Sequence, residues 1–479
     1  MAEEISVSID PKDVPKLKHP EADVSPDEPW QDDVLDRAKI AEKLSKIIRD
    51  QRDPFVIGID GQWGTGKTFL LKRWQRDLER EGASAIYFNA WEDDFCDDPL
   101  LAIIGQLSDH FKKGNLETLA DELGKIAIPL LKKNALSVLS RATGLSFEVD
   151  LNERDLLKEY REQRQTKTEL ISHLTKISAA VVQETDLPLI FIIDELDRCR
   201  PTFAIELLER VKHVFDVPDV VFVFGINRDE LCKSLESIYG EIDGTVYLRR
   251  FFDMEFSLPN ANSEKFCESL MKKYRFREFF QSLSQTSSTR IHRENYDCIA
   301  TGIPALCGQL GLSLRDIDYC LRVIALAARS IQEKQHIFPW LLSLLVLLKF
   351  ENPVLYRKFI DGECHASDVM NHLDSVISFP SDDHRLNRAW DAMEAELYLA
   401  ENSPEYDARE ATVWHQLTLL QNGAELTHPD LLSERTKKSS LERIARVMSL
   451  MGAERYIYTP RNLRAYLASL INLHDFIRR

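Results

Sequence analysis

The residues from Asp60 to Thr68 read D-G-Q-W-G-T-G-K-T. Gly61 and the run Gly66-Lys67-Thr68 satisfy the spacing G-x-x-x-x-G-K-[ST] of a phosphate-binding loop. Glycines let such a loop adopt positive φ, so that backbone N–H groups close around phosphate oxygens. Gln62, Trp63, Gly64 and Thr65 complete the cradle. Phe69 opens a helical pattern whose N-terminus faces the same anion. In this chemistry Lys67 reaches the β- and γ-phosphates and the Thr68 hydroxyl holds a magnesium ion. A bare match of this kind recurs by chance. Its weight here comes from position, after an apolar strand and before a helix, and from an acidic partner further along.

That partner is Leu187–Pro201, LPLIFIIDELDRCRP. An apolar run ends in Asp194-Glu195, and carboxylates at the carboxyl end of a parallel strand face the crevice where ligands bind. Asp194 is placed to hold the magnesium shell. Glu195, one residue on, is placed to polarise an attacking water. Alone, the pair reads equally as a solvated turn that begins a helix; beside the phosphate loop the catalytic reading prevails. Asp197 and Arg198 form either an ion pair behind the site or ordinary surface charges. Val220–Ile226 ends at Asn227, a polar residue positioned to contact the γ-phosphate or its water, the alternative being a turn-starting Asn. Val246–Phe252 (VYLRRFF) offers Arg250 or Arg249 as an arginine delivered to the γ-phosphate, commonly from a neighbouring subunit. Such a group is worth on the order of 10³-fold or more in rate. Arg315, at the start of a helix after Gly311, is a candidate lid residue touching the phosphates. A look-alike at Thr459–Arg464 (TPRNLR) has a good helix cap and first residue, but Arg315 is preferred because it lies closer in sequence to the sheet.

These groups need elements to hold them. Phe55–Asp60 (FVIGID), Ser84–Asn89 (SAIYFN), Leu189–Ile193 (LIFII), Val220–Ile226 (VVFVFGI) and Met254–Leu258 read as strands. Asp32–Ile48, Phe69–Arg80 and Phe203–Phe215 show helical spacing. The alternation predicts a parallel sheet with helices on both faces. Residues 100–182 are mainly helical and interrupt the sheet as an insertion. Within them, Asp155–Val182 forms one long amphipathic helix burying Leu156, Tyr160, Leu170, Leu174, Ile177 and Val181. Beyond Pro259 strands disappear, and no repeat of fixed period is present. The chain therefore divides into an arm (1–30), a nucleotide-binding core (31–260) and an all-helical region including a lid (261–479).

Composition sets outer bounds. The 479 residues carry a formal net charge of −17, and 44% are hydrophobic, enough for two or three cores. So acidic a surface disfavours broad nucleic-acid binding. The 8 cysteines have no Cys-x-x-Cys spacing, which points to reduced thiols rather than a zinc site. The residues up to Pro29 have no apolar run and read as a flexible arm, not a signal peptide. Ile337–Phe350 is the most apolar stretch but falls short of the roughly 20 residues that cross a bilayer. It reads as a buried helix, and a cytoplasmic location follows. Ile126–Leu139 is a second apolar stretch, broken by Lys132 and Lys133. The carboxylates at Asp368 and Asp382–Asp383 lack metal-site spacing and read as solvated.

Five segments together resemble the KAP P-loop NTPases: GIDGQWGTGKT at Gly58–Thr68, FNAWEDD from Phe88, IDELDRCRP at Ile193–Pro201, FGINRDEL at Phe224–Leu231 and YLRRFF at Tyr247–Phe252. They cover about half the chain, roughly Val34–Leu258. The resemblance implies an additional-strand, catalytic-glutamate core of strand order 5-1-4-3-2. It also implies Mg-ATP as ligand, a homo-oligomer that switches state, and Asn227, Arg250 and Arg315 in the roles above. Trp91 lies at the family's aromatic signature or simply packs in the core. Many family members carry membrane spans where this chain has polar helices, and some bacterial relatives exclude phage, so a defence role is implied by resemblance alone. The expected function is an ATPase driving a conformational or assembly switch through a protein partner bound by the helical region. The alternative is a slow nucleotide-gated scaffold. A kinase using the same loop is disfavoured by Glu195. The segment Val34–Ile40 is a candidate lining of the base pocket, and the absence of an Asn/Thr-Lys-x-Asp guanine motif leans towards ATP.

Overall fold

The computed structural model describes residues 24–96, 98–112, 116–126, 153–279, 302–330, 338–377, 384–401, 413–439, 442–448 and 471. The arm up to residue 23, the second apolar stretch beyond 126, Asp382–Asp383 and the motif at 459–464 lie outside them. Two compact units are present, one spanning Asp23–Asn260 and one built from Ala261–Arg479.

In the first unit, β1 (Phe55–Asp60), β2 (Ala85–Asn89), β3 (Leu189–Asp194), β4 (Val220–Ile226) and β5 (Met254–Ser257) form one sheet in the order β2-β3-β4-β1-β5. All neighbours are parallel. Read from the other edge this is the expected 5-1-4-3-2, the P-loop NTPase arrangement. Every residue of β3 and β4 is buried, which is why both appear in the sequence as unbroken apolar runs. Alternation still sorts their side chains. Ile190, Ile192, Val221 and Val223 pack with Leu70, Leu71 and Trp74 on one face. Phe191, Ile193, Phe222 and Phe224 pack with Leu207 and Val211 on the other. Phe191 stacks on Phe222 with ring centroids 4.8 Å apart.

Helix α1 covers Arg37–Ile48, α2 Lys67–Arg80 and α3 Pro99–Phe111. α1 begins later than the apolar spacing predicts. The Asp33 carboxylate accepts from the amides of Leu35 (3.1 Å) and Ala38 (2.7 Å), and Asp36 sits at φ 56°, so the preceding residues are spent on a turn. The long insertion helix runs Glu153–Thr185 and buries Leu170, Leu174, Ile177 and Val181. Helices Pro201–Val214 and Arg228–Tyr239 follow β3 and β4.

The second unit is helical throughout its described residues. Its apolar run is helix Pro339–Glu351, with Trp340, Leu341, Leu344, Leu345, Val346 and Leu347 fully buried. Among the described residues no helix is long and apolar enough to cross a membrane. Helix His384–Glu401 carries a buried charged network. Glu394 accepts from Tyr398 (2.8 Å), Ser433 (2.8 Å) and Arg443 (2.6 Å), and Arg443 also donates to Asp391 at 2.7 Å.

Candidate phosphate-binding site

The loop between β1 and α2 lies at the carboxyl end of the sheet. Gly64 (φ 81°) and Gly66 (φ 89°) occupy the left-handed region that side chains avoid. The Gly61 amide donates to Ile226 O at 3.1 Å, which ties the start of the loop to the end of β4. A Cβ at Gly61 would lie 2.9 Å from Thr65 Oγ1, so a side chain there would displace the Thr65 hydroxyl. The Thr65 hydroxyl donates to Gln62 O at 2.8 Å. From outside the loop, the buried Arg37 guanidinium donates to Thr65 O (2.9 Å) and to Pro259 O (3.0 Å), fastening the loop to the chain leaving β5.

α2 starts at Lys67 itself. The Lys67 ammonium is buried and donates to the carbonyls of Gly61 and Gln62. Burial holds its pKa below the ordinary lysine value, opposed by the fields of Asp197, Asp194 and Asp60. Thr68 and Phe69 are half-buried, whereas Gln62 and Trp63 are exposed. Phe69 lies under the Arg73 guanidinium, 3.6 Å from its ring centroid, and Arg73 forks onto Asp32. Phe69 thus helps to seat α2.

Asp194 closes β3 at 1% exposure. One oxygen accepts from Tyr87 Oη at 2.9 Å and the other from the Glu195 amide at 2.8 Å. Burial and the adjacent carboxylate push the Tyr87 phenol well up, so it remains a donor. Glu195 adopts φ 61° and ψ 25°, a backbone state few non-glycine residues take. Its carboxylate meets the Arg198 guanidinium at 2.9 Å and bonds Asn89. Burial nevertheless leaves its pKa above the ordinary glutamate value, against the pull of Arg198. Arg198 also lies over the Trp91 ring, 5.6 Å from its centroid. Trp91 is 53% exposed, so it is not a core residue.

Asn227 is buried and occupies the N-cap of helix Arg228–Tyr239, but its side chain makes no capping bond. Its amide donates to Asp197 Oδ1 at 3.0 Å, and Asp197 Oδ2 accepts from Trp63 Nε1 at 2.6 Å. Asp197 therefore faces the loop rather than Arg198. The structure brings Gly61–Phe69, Asp194, Glu195 and Asn227 to one end of the sheet. Arg249 and Arg250 are exposed elsewhere, on the segment that enters β5 where the Asp253 amide pairs with Val56 O. That is the amino end of the strands. Arg250 lies over the Tyr247 ring at 5.4 Å. Arg315 is exposed in the first turn of helix Leu314–Ser330, in the helical unit.

Several residues at this site escape a reading of the sequence. Arg37 carries no motif. Tyr87 and Asn89 become visible only through sheet register, which sets Asn89 beside Asp194. Arg228 pairs with Glu255 at 2.6 Å and pins β5.

The donor set fits a magnesium nucleotide. Thr68 and Asp194 offer hard oxygens, the kind magnesium takes. Among the described residues no three His, Cys, Asp or Glu side chains converge as a metal cage. A cation here would draw its remaining ligands from water and phosphate. The glycine cradle, the N-terminus of α2 and the Lys67 ammonium supply the anion half.

The family that the sequence matches is one of P-loop domains. A family model described as "KAP family P-loop domain" matches residues 37–476. Over 344 residues the chain is 24% identical to the phage T7 exclusion protein of Escherichia coli (strain K12), an alignment covering 66% of this chain and 44% of that protein. The chain thus spans less than half the length of this curated relative. Among solved structures, the Aeropyrum pernix ORC2 protein as ADPNP-ADP complexes is 13% identical with a TM-score of 0.32, covering 88% of this chain and 95% of the other. Its ADP form is 14% identical with a TM-score of 0.29, covering 91% and 96%.

Proposed function

The chain belongs to the KAP family of P-loop domains, and from that membership and the site geometry we propose that it binds ATP with magnesium and hydrolyses it to drive a conformational or assembly switch. The observation that carries the reading is the placement of the Lys67 ammonium in the field of Asp194 and Asp197, at the mouth of a glycine-lined turn. Lys67 and the loop amides would bind and orient the β- and γ-phosphates. Thr68 and Asp194 would hold the magnesium, which supplies charge neutralisation on the phosphates. Glu195 would take the proton of the attacking water, which its raised pKa suits. Asn227 would orient that water or the γ-phosphate. Arg249 or Arg250 would act on a neighbouring copy in a homo-oligomer, and Arg315 would report nucleotide state from the helical unit.

One observation favours slow, gated turnover over a constantly running motor. Glu195 is engaged by Arg198 and Asn89, and must leave that pairing to meet water. The second reading, a nucleotide-gated scaffold whose helical unit recruits a protein partner, rests on this. The setting we assign is cytoplasmic. A role in excluding phage is proposed from the likeness to the phage T7 exclusion protein.

The test is phosphate release by the full chain with Mg-ATP, over a range of protein concentrations. Lys67→Ala should abolish nucleotide binding. Glu195→Gln should keep binding and lower turnover by about 10²–10⁴-fold. Unchanged release in both variants would overturn the site assignment. A steep rise of specific activity with concentration would favour an arginine supplied in trans; a flat, slow rate would favour the scaffold.

A further inference from the structure

We infer that Asp197 is a positioning residue for the reaction: its carboxylate is a strut joining the tip of the phosphate loop, at Trp63, to the end of β4, at Asn227. The inference rests on the hydrolysis reading above and assigns one more residue to it. One carboxylate oxygen accepts the Trp63 indole N–H at 2.6 Å, and the other accepts the Asn227 amide at 3.0 Å. These partners lie on separate segments, Trp63 after β1 and Asn227 after β4. Asp197 itself comes from the short turn after β3, so one side chain couples three strand ends.

The geometry around the strut favours a working role. Asp197 is 9% exposed, so both bonds are shielded from water and, being charge-assisted, are strong ones. Trp63 is 45% exposed. The hydrogen bond to Asp197 fixes the direction of its indole at the loop tip. At the other end the bond fixes the backbone of Asn227, whose side chain makes no helix-capping bond. The turn carrying Asp197 starts at Glu195 with φ 61°, so the base and the strut share one rigid bend. Displacing Asp197 therefore shifts the loop tip and the Asn227 amide together, relative to Glu195. The same carboxylate is the leading charge opposing the effect of burial on Lys67.

Two substitutions cut the same bond from opposite sides. Trp63→Phe keeps the ring and the charge of Asp197 but removes the donor. Asp197→Asn keeps an oxygen for the Asn227 amide but turns an NH₂ towards the indole N–H, donor against donor. With the full chain and Mg-ATP, each should lower kcat about tenfold, the scale of one charge-assisted hydrogen bond. The Kd for ADP should change by less than about threefold, because loop amides and Lys67 hold the β-phosphate regardless. The double variant should be no slower than Asp197→Asn, since the bond is already gone. Singles within twofold of the parent, a double variant equal to the product of the singles, or kcat and ADP affinity lost in parallel would each overturn the proposal. If the parent chain releases no phosphate, the hydrolysis reading fails. The strut is then judged by thermal unfolding of the same four proteins: non-additive Tm shifts support the bond, and additive ones refute it.

Discussion

Replacing Gly225 by alanine tests how tightly the wall of the site is packed. Gly225 is buried in β4, between α2 and the end of β3. A Cβ there would lie 2.5 Å from Leu71 Cδ1 and 2.8 Å from Asp194 Oδ1. Neither neighbour yields easily. Leu71 is fully buried in a close-packed layer with few voids to rotate into. The Asp194 carboxylate is held by Tyr87 and by the Glu195 amide, so swinging it away forfeits hydrogen bonds to a buried charge. Overpacking of this kind costs about 1–3 kcal/mol. At roughly 2–4 °C per kcal/mol for a domain of this size, Tm should fall by about 2–12 °C. On the proposed role of Asp194 as a metal ligand, turnover should suffer more than stability, because displacing such a group by about 1 Å can cost on the order of 10²-fold. Differential scanning calorimetry and magnesium-dependent phosphate release on the same preparation separate the two effects. Leu71→Ala in the Gly225→Ala background should recover part of the Tm and none of the turnover. A Gly225→Ala protein matching the parent in both measurements would refute the argument that Asp194 is confined by this wall.

Other expectations follow from single contacts. Tyr87→Phe removes one of the two bonds shown to Asp194 and should lower unfolding free energy by about 1–3 kcal/mol, read by urea titration. Burial raises the pKa of Glu195, and the proposed base acts as the carboxylate, so kcat should fall with decreasing pH at higher pH than for an ordinary glutamate. Arg198 holds that value down; Arg198→Ala should therefore move the acid limb of the kcat profile to still higher pH, and an unmoved limb would remove Glu195 as the base. In the helical unit, Glu394→Ala removes one of the two carboxylates that Arg443 meets in a buried network. Breaking such a network should cost about 3–5 kcal/mol, seen as a lowered denaturant midpoint.

The strands were legible because both faces of the sheet are covered, which turns β3 and β4 into uninterrupted apolar runs with abrupt polar ends. The bounds expected for β1, Phe55–Asp60, coincide with those observed. The loop glycines were legible for the same kind of reason: positive φ at Gly64 and Gly66 leaves few residue choices. What stayed hidden depends on distances between segments. Asp197 read as a partner of Arg198 or as a surface charge, yet it faces Trp63 and Asn227. The cause is the left-handed bend at Glu195, which a glutamate does not advertise. Trp91 read as a family signature or a core residue, and its exposure under Arg198 follows from a turn after β2 that no periodicity encodes. Arg37 is an arginine on an amphipathic helix by sequence. Its function as the fastener of Thr65 and Pro259 appears only when residues 222 positions apart meet.

The electrostatics of the site also explain how a chain of net charge −17 can cradle a polyanion. Around Lys67 stand Asp60, Asp194 and Asp197, with the Arg198 guanidinium opposing their field. A bare triphosphate entering there would meet more carboxylate than cation. All three acids are already engaged with the scaffold: Asp60 accepts the Arg228 amide at 2.9 Å, Asp194 accepts Tyr87 and the Glu195 amide, and Asp197 holds Trp63 and Asn227. Their negative charge is partly spread into N–H groups without being removed. Asp194 and Glu195 stand at the end of β3. On the proposed function, a hard dication held by Thr68 and Asp194 would restore the balance, together with the partial positive charge at the N-terminus of α2. Under the proposed function, the acidic strand end would act as a selectivity device: it would oppose free anions and accept the magnesium complex, with Arg198 the partner that Glu195 exchanges for water.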